Sequence, residues 1–102
     1  MKKIISTPKA PSAIGPYNQA TAFDKLIFTS GQIALDPTTM EIVSGGVQEQ
    51  TFQVMENLKA VLEEAGSSFE NVLKTTCYLS DMDNFVAFNE IYGQYFKGET
   101  AP

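Results

Sequence analysis

Histidine, arginine and tryptophan are all absent from this sequence, and it has one cysteine, Cys77. Without histidine the chain cannot build a Ser-His-Asp or Cys-His nucleophile from its own residues. A lone cysteine rules out an internal disulfide and, with no histidine, leaves none of the usual soft ligands for zinc or copper. Chemistry is left to carboxylates, hydroxyls, amides, backbone groups and water. Cys77 falls in an apolar strand pattern and is expected to be a buried small hydrophobe. The seven basic residues, Lys2, Lys3, Lys9, Lys25, Lys59, Lys74 and Lys97, are scattered through a chain of net charge −5. They form no basic stripe, so nucleic acid is not an expected partner. Nor do they offer the planar fork with which arginine holds a carboxylate or phosphate. No apolar run is long enough to span a bilayer, and Met1-Lys2-Lys3-Ile4-Ile5-Ser6 lacks the long apolar region of a signal peptide. No membrane contact is expected, and the expected location is cytoplasmic.

What remains is an ordinary globular composition, 43% hydrophobic and 19% charged over 102 residues. A chain of this length builds one core and buries roughly 65% of its unfolded surface. Residues 1–102 are therefore read as a single domain.

Prolines at 8, 11 and 16 punctuate the start, which suits an edge strand, a loop, and a strand beginning at Tyr17. A second strand is expected over residues 26–33, joined to the first by a turn at Asp24-Lys25. Turn residues at 35–40, an apolar pair Ile42-Val43 and the Gly45-Gly46 break follow. Apolar residues at 47, 54, 55, 58, 61, 62 and 65 predict an amphipathic helix, with Gly66 in the left-handed position after it. Residues 72–79, rich in β-branched and aromatic side chains, predict another strand. Ser80-Asp81-Met82-Asp83 then opens a second helix to about Lys97, striped by Phe85, Phe88, Tyr92, Tyr95 and Phe96. The expected order is strand, strand, strand, helix, strand, helix. Both helices are expected on one face of a mixed α+β sheet. The other face, with Leu26, Phe28, Val72 and Tyr78, is then apolar and open, and another subunit is its expected cover.

Two stretches stand out, Ile14-Gly15-Pro16-Tyr17-Asn18-Gln19-Ala20 and Phe28-Thr29-Ser30-Gly31-Gln32-Ile33. Each sets hydroxyl and amide side chains beside a glycine, where a half-buried strand ordinarily carries Val, Ile or Phe. Two readings are open. Gly15-Pro16 can be a turn and Ser30-Gly31 a bulge or strand end, or Tyr17 and Ser30 can line a site. Asn89, four residues after Phe85 and three before Tyr92, falls on the apolar stripe, where a buried amide requires partners. It either ties the helix to a neighbouring carbonyl or faces the same cleft as Tyr17 and Ser30. Glu63-Glu64 and the Asp81, Asp83 pair are read as a solvated face and a helix start. Gly45-Gly46 lacks the spacing and the lysine of a phosphate loop.

The runs Ala10-Pro11-Ser12-Ala13-Ile14-Gly15-Pro16-Tyr17, Thr29-Ser30-Gly31-Gln32-Ile33, Val72-Leu73-Lys74-Thr75-Thr76-Cys77-Tyr78-Leu79 and Phe88-Asn89-Glu90-Ile91-Tyr92 together resemble the Rid family of reactive intermediate deaminases, also called the YjgF family. The RidA branch is the most similar, and the resemblance spans the whole chain. It implies a chorismate-mutase-like α+β fold of the YjgF type, assembled as a homotrimer with sites in clefts between subunits. It implies hydrolysis of 2-imino and enamine acids, such as 2-iminopropanoate and 2-iminobutanoate, to 2-oxo acids and ammonia, without a cofactor. By motif match it implies catalytic and substrate-binding roles for Tyr17, Ser30 and Asn89, with Gly31 setting its backbone beside the substrate. A non-catalytic trimeric binder of small 2-oxo acids is the alternative these residues carry. The family pattern continues past a segment like Glu99-Thr100-Ala101-Pro102 with a carboxylate-clamping arginine, a strand and a glutamate. The expectation is therefore a domain that lacks its C-terminal strands and its main anion anchor.

Overall fold

A two-residue turn at Asp24-Lys25 joins two short strands, because Asp tolerates the left-handed backbone that Asp24 adopts, with φ of 55°. A computed structural model describes residues 1–102. Strands β1 (Lys3–Ile5), β2 (Ala20–Phe23) and β3 (Leu26–Thr29) form an antiparallel sheet in the order β1-β2-β3. Two helices follow, α1 (Val47–Glu64) and α2 (Phe85–Tyr92). The expected α+β architecture is present, with a sheet that is antiparallel rather than mixed. No helix is long and apolar enough to cross a membrane.

Register sorts the strand residues into two faces. Ile5 lies opposite Ala20, which lies opposite Thr29, so these share one face, while Ile4, Thr21 and Phe28 share the other. The first face meets α1, where the fully buried Val61 packs with Ile5, Ala10 and Ala20, flanked by Ile27, Ala60 and Ala65. The second face is open: Ile4, Phe23, Leu26 and Phe28 are 49 to 65% exposed.

The three-and-four spacing of α1 buries Met55, Val61 and Leu62 as expected. Its end is set by Gly66, whose φ of 79° lets Gly66 N–H reach the Glu63 carbonyl at 3.0 Å and Ser67 N–H reach that of Leu62 at 2.8 Å. Packed against α1, α2 is continued at both ends by short 3-10 turns, Met82–Asn84 and Gly93–Tyr95. The Asp81 carboxylate starts this stretch by accepting the Asp83 N–H at 2.9 Å. Phe88, Tyr92 and Phe96 form a ring column four residues apart, with centroids 5.2 and 4.9 Å apart. Three side-chain bonds tie the helices together, one of them from Gln48 to the Ala87 carbonyl at 3.2 Å. The Tyr95 hydroxyl donates to Glu56 at 2.7 Å, and Gln48 donates to the Glu90 carboxylate at 2.9 Å. Burial first, and then the bond to the Glu56 carboxylate, push the Tyr95 phenol well above its usual range.

Three expectations are corrected. Residues 72–79 form no strand, since no neighbouring segment offers them a ladder. A 2.6 Å hydrogen bond between the Thr75 and Tyr92 hydroxyls ties them to α2. Cys77 is consequently exposed rather than buried, as are Leu73 and Tyr78. The strand expected over 26–33 ends at Thr29, and the one expected from Tyr17 starts at Ala20. Both shortfalls fall on the polar residues next to Gly15 and Gly31, which pair less regularly than β-branched ones.

One buried polar residue in α1 escaped the apolar pattern. Asn57, 1% exposed, donates through its amide to the carbonyls of Ile33 at 3.3 Å and Leu35 at 2.9 Å, and its oxygen accepts from Gln53 at 2.9 Å. It staples the segment leaving β3 to the helix. Asn57→Leu keeps the volume but strands two carbonyls, and is expected to cost about 1–3 kcal/mol. Urea denaturation measures this, and an unchanged midpoint would show that water replaces the amide.

Candidate functional site

Where the hairpin's polar ends leave the ladder, β2 and β3 bring Tyr17 and Ser30 into one region. Ser30 N–H donates to the Gln19 carbonyl at 2.9 Å, one step beyond the Ala20–Thr29 pair. Its Oγ donates to the Asn18 carbonyl at 2.5 Å. Spending its proton there leaves the Ser30 oxygen as an acceptor for a water or an N–H.

Tyr17 stands just before this junction, about half exposed. Its N–H closes a tight turn onto the Gly15 carbonyl at 2.8 Å across Pro16. Its hydroxyl accepts the Ile14 N–H at 3.4 Å, which leaves the phenol proton free to donate. The turn reading of Gly15-Pro16 and the strand-end reading of Ser30-Gly31 are thus both correct as local structure, and neither removes the polar groups from the surface.

Gly31 is exposed, and its N–H has no partner within the chain. A Cβ added there would meet nothing within 4 Å, and its φ is not left-handed. The chain's own packing therefore does not require glycine at this position.

Asn89 is different. It lies on α2, exposed, and its side chain makes no hydrogen bond within the chain. The buried amide expected from its spacing is not found, because α2 is short and packs mainly on α1. The hairpin sets Ser30 and Gly31 beside Asn18 and Gln19, the residues that follow Tyr17, and Asn89 lies on a separate element. An open groove of about 450 Å³ between the helices, lined by Val43, Gln48, Glu49, Phe52, Gln53 and Ile91, holds none of these four.

Gln19 was visible only as part of the first motif, yet it is the polar centre of the region. It is 4% exposed, and its amide contacts four backbone groups between residues 7 and 11. No periodicity signals this, because its partners lie 8 to 12 residues away.

The sequence model described as endoribonuclease L-PSP matches residues 7–102. The RutC family protein slr0709 of Synechocystis is 58% identical over 101 residues, covering 98% of this chain and 78% of that protein. The 2-iminobutanoate/2-iminopropanoate deaminase of Mus musculus is 51% identical over 98 residues, covering 96% of this chain and 73% of the mouse protein. Among solved structures, a Thermotoga maritima protein superposes with a TM-score of 0.96 at 48% identity, over all of this chain and 80% of that one.

Proposed function

Since the chain belongs to the endoribonuclease L-PSP family, also called the Rid or YjgF family, we propose that it hydrolyses 2-iminopropanoate and 2-iminobutanoate to 2-oxo acids and ammonia. The observation that carries this reading is the junction at the end of the hairpin, where Tyr17, Ser30 and Gly31 present a free donor, a free acceptor and an unpaired N–H. The 51% identity to the mouse deaminase supports it.

An imine carbon is already electrophilic, so the reaction needs orientation and proton management rather than a strong nucleophile. In the proposed mechanism, Ser30 Oγ accepts a hydrogen bond from the attacking water, and the Tyr17 hydroxyl and Gly31 N–H donate to the substrate. Water oxygen bonds to the imine carbon, the C=N π pair passes to nitrogen, and nitrogen takes up a proton as the water gives one up. The carbinolamine then passes its hydroxyl proton to nitrogen as the C–N bond breaks, releasing ammonia and leaving the 2-oxo acid. No step requires a cofactor.

Asn89 enters this scheme through assembly. The exposed sheet face of Ile4, Phe23, Leu26 and Phe28 suits a homotrimer, and a cleft between subunits would let an exposed amide on α2 bond a polar group of the ligand. The protein would act in the cytoplasm, beside the enzymes that generate such imines. A nuclease reading is weaker, because the lysines are scattered and the net charge is −5.

The test is to add the assembled protein to freshly generated 2-iminobutanoate and time ammonia release. Acceleration over buffer is expected. Binding of 2-oxobutanoate without acceleration would leave only a metabolite binder.

A further inference from the structure

We infer that Gln19 is a positioning residue of the Tyr17–Ser30 junction, whose side-chain amide holds the loop leading to Tyr17 while its backbone holds Ser30. This rests on the reading of Tyr17 and Ser30 as site residues. The amide oxygen of Gln19 accepts the Thr7 N–H at 2.6 Å. Its nitrogen faces the carbonyls of Thr7 at 3.0 Å, Ala10 at 3.2 Å and Pro11 at 2.8 Å. One side chain thus engages four backbone groups that have few alternative partners so close to the core formed by Ile5, Ala10 and Ala20.

The segment held is the one that runs on through Ile14, Gly15 and Pro16 to Tyr17. Residues 12–17 are exposed and lie outside any strand, so little else fixes where they start. The carbonyl of the same Gln19 receives the Ser30 N–H at 2.9 Å. Gln19 is therefore bonded both to the start of the loop that leads to Tyr17 and to Ser30, and it sits two positions from Tyr17. Loss of the amide frees the loop entrance without touching a ligand, and a misplaced phenol costs rate rather than stability alone.

The experiment compares Gln19→Met, which keeps length and volume, with Gln19→Glu, which keeps the acceptor for Thr7 N–H but removes the donor to three carbonyls. Amide hydrogen exchange is expected to rise about tenfold at Ile14 and Tyr17, the bonded amides within residues 12–17, in both, with α1 unchanged. In the same samples kcat/KM for 2-iminobutanoate should fall about tenfold, mainly in kcat. Tyr17→Phe added to Gln19→Met should cost less than Tyr17→Phe alone, because the two act through one group. Unchanged exchange at 12–17, an equal rise across α1, or additive losses would overturn the inference. If the parent protein does not hydrolyse the imine, the deaminase reading fails on its own and the exchange arm alone decides the role of Gln19. Should Gln19→Met fail to fold, Gln19→Glu carries both readouts.

Discussion

Ser30→Ala is expected to lower kcat/KM for 2-iminobutanoate hydrolysis by about 100-fold, equivalent to about 2.7 kcal/mol of transition-state stabilisation. Ser30 Oγ donates a hydrogen bond to the Asn18 carbonyl, which in the proposed mechanism leaves the Ser30 lone pairs for the water. Alanine removes that acceptor together with one hydrogen bond worth about 1 kcal/mol to stability. The backbone bond from Ser30 N–H to Gln19 is retained, so the junction keeps its register. Ser30→Thr, which retains a hydroxyl, should recover part of the rate. Steady-state kinetics beside a thermal melt separates the two effects: a rate within about threefold of the parent would remove Ser30 from the chemistry.

Phe28→Lys is expected to convert the proposed homotrimer to monomers and to abolish hydrolysis with it. Phe28 is 65% exposed and lies across from Thr21 and Ile4 on the face that α1 does not cover. In a lone subunit, a lysine there meets mostly water and changes stability by less than about 0.5 kcal/mol. Beneath a neighbouring subunit the same ammonium would be buried without a partner, at a cost of several kcal/mol. Light scattering at micromolar concentration measures the outcome. A parent that is already monomeric, or a variant that still assembles, would rule out this face as the interface. Because Phe28 is two residues from Ser30, unaltered exchange around Ser30 in the variant would assign the lost activity to the lost subunit contact.

How much of this was legible in the sequence depended on the range of the forces involved. The 47–65 periodicity and Gly66 located α1 and its end almost to the residue, since helix bonds and the terminal glycine act within a few positions. The hairpin's turn was equally readable, being two residues long, while the outer ends of its strands were not. For the proposed site, hydroxyl and amide groups beside glycine pointed to Tyr17, Ser30 and Gly31, and the hairpin sets Ser30 against Asn18 and Gln19, the two residues after Tyr17. The criterion that singled out Asn89, an amide inside an apolar stripe, fails there yet would have found Asn57, which sits among Val54, Met55, Leu58 and Val61 and is buried.

By itself, then, the sequence determined the helix α1, the hairpin turn and the family, all of which follow from residue type and short spacing. Only the tertiary structure decided that residues 72–79 stay unpaired, that Cys77 and Asn89 face outward, and that Gln19 and Asn57 are buried. The physical reason is common to all of them. A strand needs a neighbour to bond, and a buried amide needs carbonyls that here lie 8 to 24 residues away, so neither can be read from the segment that contains it.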